Sequence, residues 1–247
     1  MPQPLAGRSA LVTGASRGIG AAIARRLAAD GAAVALTHSD SAAAAEQVAA
    51  EITVSGGRAL VLRSDAGDPE QVRAAVTATV AEFGGLDVLV NNAGTVRTGH
   101  LDELSLADFD RALAVNVRGP FVAIQEASKH LPAGGRIINV GTSLADHLPF
   151  PGKLAYVTSK TALAGLTRGA ARDLAPRGIT VNDVQPGAVD TAMNPAAGPR
   201  AEGLRSATPL GRYGTPEEIA SIVAHLASPD AAFVTGATLN ADGGFAT

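Results

Sequence analysis

Cysteine is absent from this chain of 247 residues. Disulfides, thiolate metal sites and cysteine nucleophiles are therefore excluded, and the usage fits a reducing cytoplasm, the expected location. The five histidines, His38, His100, His130, His147 and His225, show no ligand spacing, so no metal site is expected. There is no block of Lys or Arg and the net charge is only −3, which argues against nucleic acid or a membrane surface as a general partner. The opening segment MPQPLAGRSALVTG lacks a basic stretch followed by an apolar signal core, and no run is apolar for long enough to span a bilayer. Charged residues make up 17% against 46% hydrophobic, too few for a disordered chain. A chain of this length buries a sizeable core without staples.

What the sequence does contain is one pattern repeated: a short apolar run, a turn, then an Ala-rich amphipathic run. SALVTG, AAVALT, RALVLRSD, LDVLVNNAG, GRIINVGTS, GITVNDVQPG and GATLNADGG read as seven strands. They are nearly continuous in Val, Ile and Leu, which suits a parallel sheet buried on both faces. Helices are expected over 18–30, over SAAAAEQVAAEITVSGG, from Pro69 with Asp68 as N-cap, over about 104–130, over KLAYVTSKTALAGLTRGAARDLA, and over TPEEIASIVAHLAS. The alternation predicts an α/β chain, doubly wound, of one domain spanning 1–247. One segment breaks the rhythm. Residues 190–214 are rich in Gly and Pro and follow a strand's carboxyl end, where open α/β sheets bind ligands. They are expected to form a lid, with Pro195, Gly198, Pro199 and Gly203 preventing a continuous helix.

Two stretches carry chemistry. TGASRGIG, residues 13–20, joins the first strand to the first helix. Glycines there let the backbone approach a pyrophosphate, and the helix N-terminus supplies N–H groups and positive dipole. AYVTSK, residues 155–160, holds one of only two tyrosines. On a helix, the Tyr156 phenol and the Lys160 ammonium share a face one turn apart.

Gly14-x-x-x-Gly18-x-Gly20, SDA at 64–66, NNAG at 91–94, NVRG at 116–119, Ser143, Tyr156-x-x-x-Lys160 and QPGAVDT at 185–191 stand in one order along the chain. In that order and spacing they resemble the short-chain dehydrogenase/reductase family, over nearly the whole length. The resemblance implies a Rossmann-type fold, a nicotinamide cofactor and a catalytic set of Asn116, Ser143, Tyr156 and Lys160. In it Tyr156 is the proton donor in reduction and Ser143 hydrogen-bonds the substrate oxygen. Lys160 binds the nicotinamide ribose and lowers the phenol's pKa, and Asn116 holds a water linking Lys160 to solvent. Implied cofactor contacts are Gly14, Ser16, Arg17, Gly18, Ile19, Gly20, His38, Ser39, Asp65, Ala66, Asn92, Ala93, Gly94, Tyr156, Lys160, Pro186, Gly187, Val189 and Thr191.

NADPH is favoured over NAD because LTHSDS puts His38 and Ser39, not a carboxylate, at the end of the second strand, while Arg17 can reach a 2′-phosphate. Against this, no second basic residue stands at Ser39, and Asp40 follows, where capping the next helix is its better role. The expected substrate is a small-molecule ketone or 3-oxoacyl thioester, against Val96, Leu144, Leu148, Phe150, Leu154 and Met193, with Tyr213 as a further candidate. Within the family the sequence resembles the 3-oxoacyl-[acyl-carrier-protein] reductases and the broad-specificity ketone reductases grouped with them. Arg97, Arg118 and Arg172 either dock an acidic carrier or form a solvated face. His147 reads as a solvated loop residue near the site. The resemblance also implies a homotetramer packed through the helices near 104–130 and 154–175, and the apolar NADGGFAT ending fits an interface better than a tail. The alternatives are an NAD-dependent secondary alcohol dehydrogenase, an isomerase or dehydratase on the same scaffold, and a non-catalytic nucleotide-sensing protein.

Overall fold

The computed structural model describes residues 3–247. Its strands are β1 (Ser9–Val12), β2 (Ala33–His38), β3 (Arg58–Arg63), β4 (Val88–Asn91), β5 (Arg136–Val140), β6 (Thr180–Pro186) and β7 (Thr238–Ala241). They form one sheet in the order β3-β2-β1-β4-β5-β6-β7, parallel throughout. Successive residues send side chains to opposite faces, and both faces are covered. Val12, Val90 and Ile138 enter one core with α1 (Gly18–Ala29), α2 (Ala42–Val54) and α8 (Pro216–Ala227). Leu11, Leu89 and Ile137 enter the other with α3 (Pro69–Phe83), α5 (Gly119–Ala127) and α6 (Leu154–Leu174). That two-sided burial is why the strands read as unbroken apolar runs. No helix among the described residues is long and apolar enough to cross a membrane.

The strand order turns back between β1 and β4, so the loops after these strands diverge and open a crevice. Local chemistry sets the helices around it. Asp68 accepts from the backbone N–H of Glu70 and Gln71 at 3.0 and 3.3 Å, capping α3 as expected. Thr215 and Glu218 close a capping box on α8. Asp40 does not cap α2: its carboxylate accepts from the Ser39 hydroxyl at 3.1 Å, and Ser41 is the N-cap without a side-chain bond.

The long helical stretch is α4 (Leu106–Leu113), a π-helical turn (Ala114–Arg118) and α5 in continuous succession. Gly119 is packed against the Ala66 carbonyl, where a Cβ would collide. Within 190–214 a short helix α7 (Ala201–Ala207) forms, and Gly203 sits inside it rather than breaking it. The C-terminal segment folds back on the sheet end. Phe245 is buried, its ring 5.5 Å from His147 and 6.3 Å from Phe150.

Candidate active site

The turn after β1 is closed by side chains, not by chance fit. The Thr13 hydroxyl accepts from the N–H groups of Asn92 and Ala93, both at 3.0 Å. The Asn92 amide donates to the carbonyls of Thr13 and Gly14, both at 2.9 Å, and the Thr37 hydroxyl accepts from Gly14 N–H at 3.0 Å. Gly14 and Gly18 have φ of 64° and 56°, and a Cβ at Gly14 would stand 2.8 Å from the Ala93 Cα. Only glycine meets both demands. The first turn of α1 has no acidic residue and no side-chain cap, so its N–H groups face the crevice unclaimed by side chains.

Several other expected cofactor residues follow the carboxyl ends of strands. Thr191 lies 3.3 Å from where a Gly18 Cβ would be, and a Cβ on Gly94 would stand 3.5 Å from the Lys160 ammonium nitrogen. Pro186 ends β6, Gly187 packs on Asp242, and Val189 bridges to Gly214. Asp65 is engaged by Arg111 at 2.8 Å, and that guanidinium holds its carboxyl below the usual range. Arg17 and Ser39 are exposed, while His38 is buried with Nδ1 unpartnered. Sequence reasoning missed Arg63. It is exposed at the end of β3 and in register with His38, and among the described residues it makes no ion pair.

Tyr156 and Lys160 lie in the first two turns of α6. Lys160 is 4% exposed and its ammonium donates to the Val140 carbonyl at 2.6 Å. Burial lowers its pKa to about 8, and the Asp183 carboxyl opposes this. Burial also pushes the Tyr156 phenol up, against a hydrogen bond with the Thr142 hydroxyl. The neighbouring ammonium is turned onto Val140, so desolvation of the phenolate dominates.

The hydroxyl that reaches the phenol is that of Thr142. Ser143, one residue on, is 1% exposed and begins the short turn Ser143–Ala145 that Thr142 caps. Ser143, thirteen residues back from Tyr156, stands in the same turn as Thr142. Asn116 sits in the π-helical turn and spans to two other elements. Its amide donates to the Thr95 carbonyl and the Ser159 hydroxyl, both at 2.9 Å, and accepts from Thr95 N–H at 2.9 Å. Ser159 in turn donates to the Tyr156 carbonyl at 2.7 Å. Asn116 thereby ties the loop after β4 to the turn of α6 that carries the phenol. A π turn is a frequent device for such inward aim.

The expected substrate residues are apolar and differ in exposure. Val96, Leu144 and Phe150 are half-buried, while Leu148, Leu154 and Met193 are 44%, 41% and 61% exposed. Tyr213 is buried beneath Arg205 with its hydroxyl unpartnered, so it belongs to the base of segment 190–214. His147 is exposed apart from its edge contact with Phe245. Arg97 pairs with Asp108 at 3.5 Å and Arg118 donates to the Gly67 carbonyl at 2.9 Å, so two of the three candidate docking arginines have local partners.

Residues 14–246 match a family model described as "Enoyl-(Acyl carrier protein) reductase". The chain is a short-chain dehydrogenase/reductase. It is an oxidoreductase by family. A solved family member from Burkholderia cenocepacia, in complex with NADP, shares 51% identity and a TM-score of 0.98, over 99% of this chain and 100% of that one. The 3-oxoacyl-[acyl-carrier-protein] reductase of Synechocystis is 41% identical over 97% of both chains. A family member from Escherichia coli K12, the "Cyclic-di-GMP-binding biofilm dispersal mediator protein", is 46% identical over 97% of both.

Proposed function

We propose that the protein is an NADPH-dependent carbonyl reductase that converts a ketone or 3-oxoacyl thioester to a secondary alcohol. The observation that carries the reading is the Tyr156 phenol set one helical turn from the buried Lys160 ammonium, with the Thr142 hydroxyl beside it. A phenol held protonated by burial is the state from which a proton donor starts. The Tyr156 Oη gives its proton to the carbonyl oxygen as that oxygen gains charge. The Thr142 hydroxyl holds the same oxygen, and the Lys160 charge favours the phenolate left behind. Ser143 keeps the turn in shape. The glycine cradle, in which Gly14 and Gly18 are left-handed and Gly14 leaves no room for a Cβ, fits a dinucleotide held by Gly14, Gly18, Ile19, Asn92 and Gly94. When bound, the nicotinamide supplies the hydride.

NADPH in preference to NADH is supported by the missing carboxylate at His38 and Ser39, by the exposed cations Arg17 and Arg63 on either side, and by the NADP-bound family member. Arg63→Ala is expected to weaken NADPH binding several-fold and leave NADH binding unchanged. Equal losses for both cofactors in fluorescence titrations would remove Arg63 from phosphate recognition.

The test of the reading as a whole is the fall in NADPH absorbance with a panel of ketones and 3-oxoacyl thioesters. Turnover of none of them would refute it. The similarity to the Escherichia coli protein favours one second reading, a nucleotide-sensing protein. The complete hydroxyl–phenol–ammonium set speaks for turnover, and the same assay separates the two.

The 190–214 segment acts in this reading as a lid. It is anchored by Ala201, Thr208 and Tyr213, which are buried, while Met193 and much of its length lie open beside the site. Closing it excludes water from the phenol. Protease should cut within 190–214 quickly without cofactor and slowly with NADPH. Equal rates would make it a fixed loop. A homotetramer is the proposed assembly, supported by the exposed Leu106 and Phe121 on α4 and α5. A monomer by light scattering at micromolar concentration would exclude it.

A further inference from the structure

Asp183 is a carboxyl in the middle of a buried strand. It is 0% exposed, in register with Asn139 on β5 and Thr238 on β7. Along β6, Val181 enters the core shared with α6 and Val184 the opposite one. Strand alternation therefore puts Asp183 and Gln185 on the α6 side, where Lys160 projects. The carboxylate lies against Gly141: a Cβ there would be 2.8 Å from both of its oxygens. Gly141 separates Val140, whose carbonyl accepts from Lys160, from Thr142, whose hydroxyl meets Tyr156.

The carboxyl is under-satisfied. Its Oδ2 accepts from the Gln185 amide at 3.2 Å, but Oδ1 has no partner, and neither does the Gln185 Oε1. Two orphaned acceptors on neighbouring buried side chains are short of one proton, and a protonated carboxyl supplies it. The charged groups facing Asp183 are Lys160 from α6 and Asp146 from the turn after β5; Gln185, Asn139 and Thr238 carry no charge. Burial drives its pKa up to about 6 in spite of Lys160.

We propose that Asp183 is a positioning residue for catalysis: a proton-exchanging carboxyl inside the sheet, on β6, whose ionised form keeps Lys160 charged. The proposal rests on the reductase reading, because Lys160 matters through the phenol. Neutral Lys160 no longer favours the phenolate, so turnover fails as pH rises through the lysine's titration. An ionised Asp183 delays that failure.

The experiment is the pH profile of kcat/KM for NADPH-dependent ketone reduction in the wild type and in Asp183→Asn, which keeps the shape and removes the charge. The alkaline limb is expected to move down by about one pH unit, as removal of a nearby charge typically does. NADPH affinity at pH 6, where Lys160 is protonated in both proteins, stays the same. Superimposable alkaline limbs in two folded, active proteins would overturn the proposal, whatever happened to stability. A wild type that reduces no carbonyl would instead sink the reductase reading. The Asp183 titration, followed by NMR of labelled carboxyls, then still reads the proposal: loss of its coupling to Lys160 would overturn it. Should the variant fold poorly, Asp183→Ser provides the same charge removal with a smaller group.

Discussion

Tyr156→Phe is expected to lower carbonyl reduction by about 10²–10⁴-fold, the usual worth of general acid catalysis, while NADPH affinity stays close to that of the wild type. The substitution deletes one oxygen and keeps the ring that packs in the first turns of α6. The nucleotide cradle is built by Thr13, Gly14, Thr37 and Asn92, none of which bonds the phenol. What is lost is the proton itself and the bond to Thr142. Burial makes the point sharper. A phenol pushed above its ordinary pKa keeps its proton through neutral pH, so the wild type should reduce ketones without an acidic requirement from this group. Steady-state turnover and a fluorescence titration of NADPH check the two halves. A variant that keeps more than about a tenth of its activity takes Tyr156 out of the proton-donor role. The companion pair tells which hydroxyl assists: Thr142→Ala should slow turnover more than Ser143→Ala, since only the former meets the phenol.

Much of this was legible before any coordinates. The strands were visible because both of their faces are buried: neighbours such as Leu89 and Val90 enter different cores, so neither position tolerates a polar residue. Asp68-Pro69 announced the start of α3 because a cap acts within four residues of itself. The same locality explains Tyr156 and Lys160, whose helical spacing fixes their shared face.

What escaped depended on contacts between distant segments. Thr142 and Ser143 are adjacent and chemically alike, and only the turn's direction tells them apart. Asp40 looked like a cap from its place before α2, yet the neighbouring Ser39 hydroxyl took its carboxylate. The π turn at Asn116 answers to Thr95 and Ser159, which no local pattern reveals. Gly203 has helix-breaking character that the seven-residue helix α7 overrode. Asp183 was in plain view, an acidic residue in the strand TVNDVQP, but its meaning needed the register that brings Gly141 and Lys160 to it.

Asp183 also carries the second large prediction, on stability. Its carboxyl has a pKa of about 6 in the folded protein against 3.8 ordinarily, so between those values the folded state binds more protons than the unfolded one. Stability therefore falls as pH rises through this window and is level, for this group, on either side. A shift of about 2 units corresponds to roughly 3 kcal/mol at neutral pH, an upper figure because local rearrangement and water entry soften burial. Asp183→Asn should recover about 1–3 kcal/mol at pH 7 and little at pH 4, where the folded wild-type carboxyl is protonated and the unfolded one only partly ionised. The amide also brings N–H donors beside the unpartnered Gln185 Oε1. Exposed carboxylates such as Glu218, held down to about 2 by Arg212, act with the opposite sign in acid. They are common to both proteins and cancel in the difference. Denaturant titrations at pH 4, 5, 6 and 7 would read it. A difference that stays constant with pH would mean that Asp183 is not protonated in the fold and that its charge is accommodated by Lys160. A gain that grows from pH 4 to 6, in a protein whose alkaline limb has moved, would mean that the fold gives up stability inside the sheet to keep a charge behind Lys160.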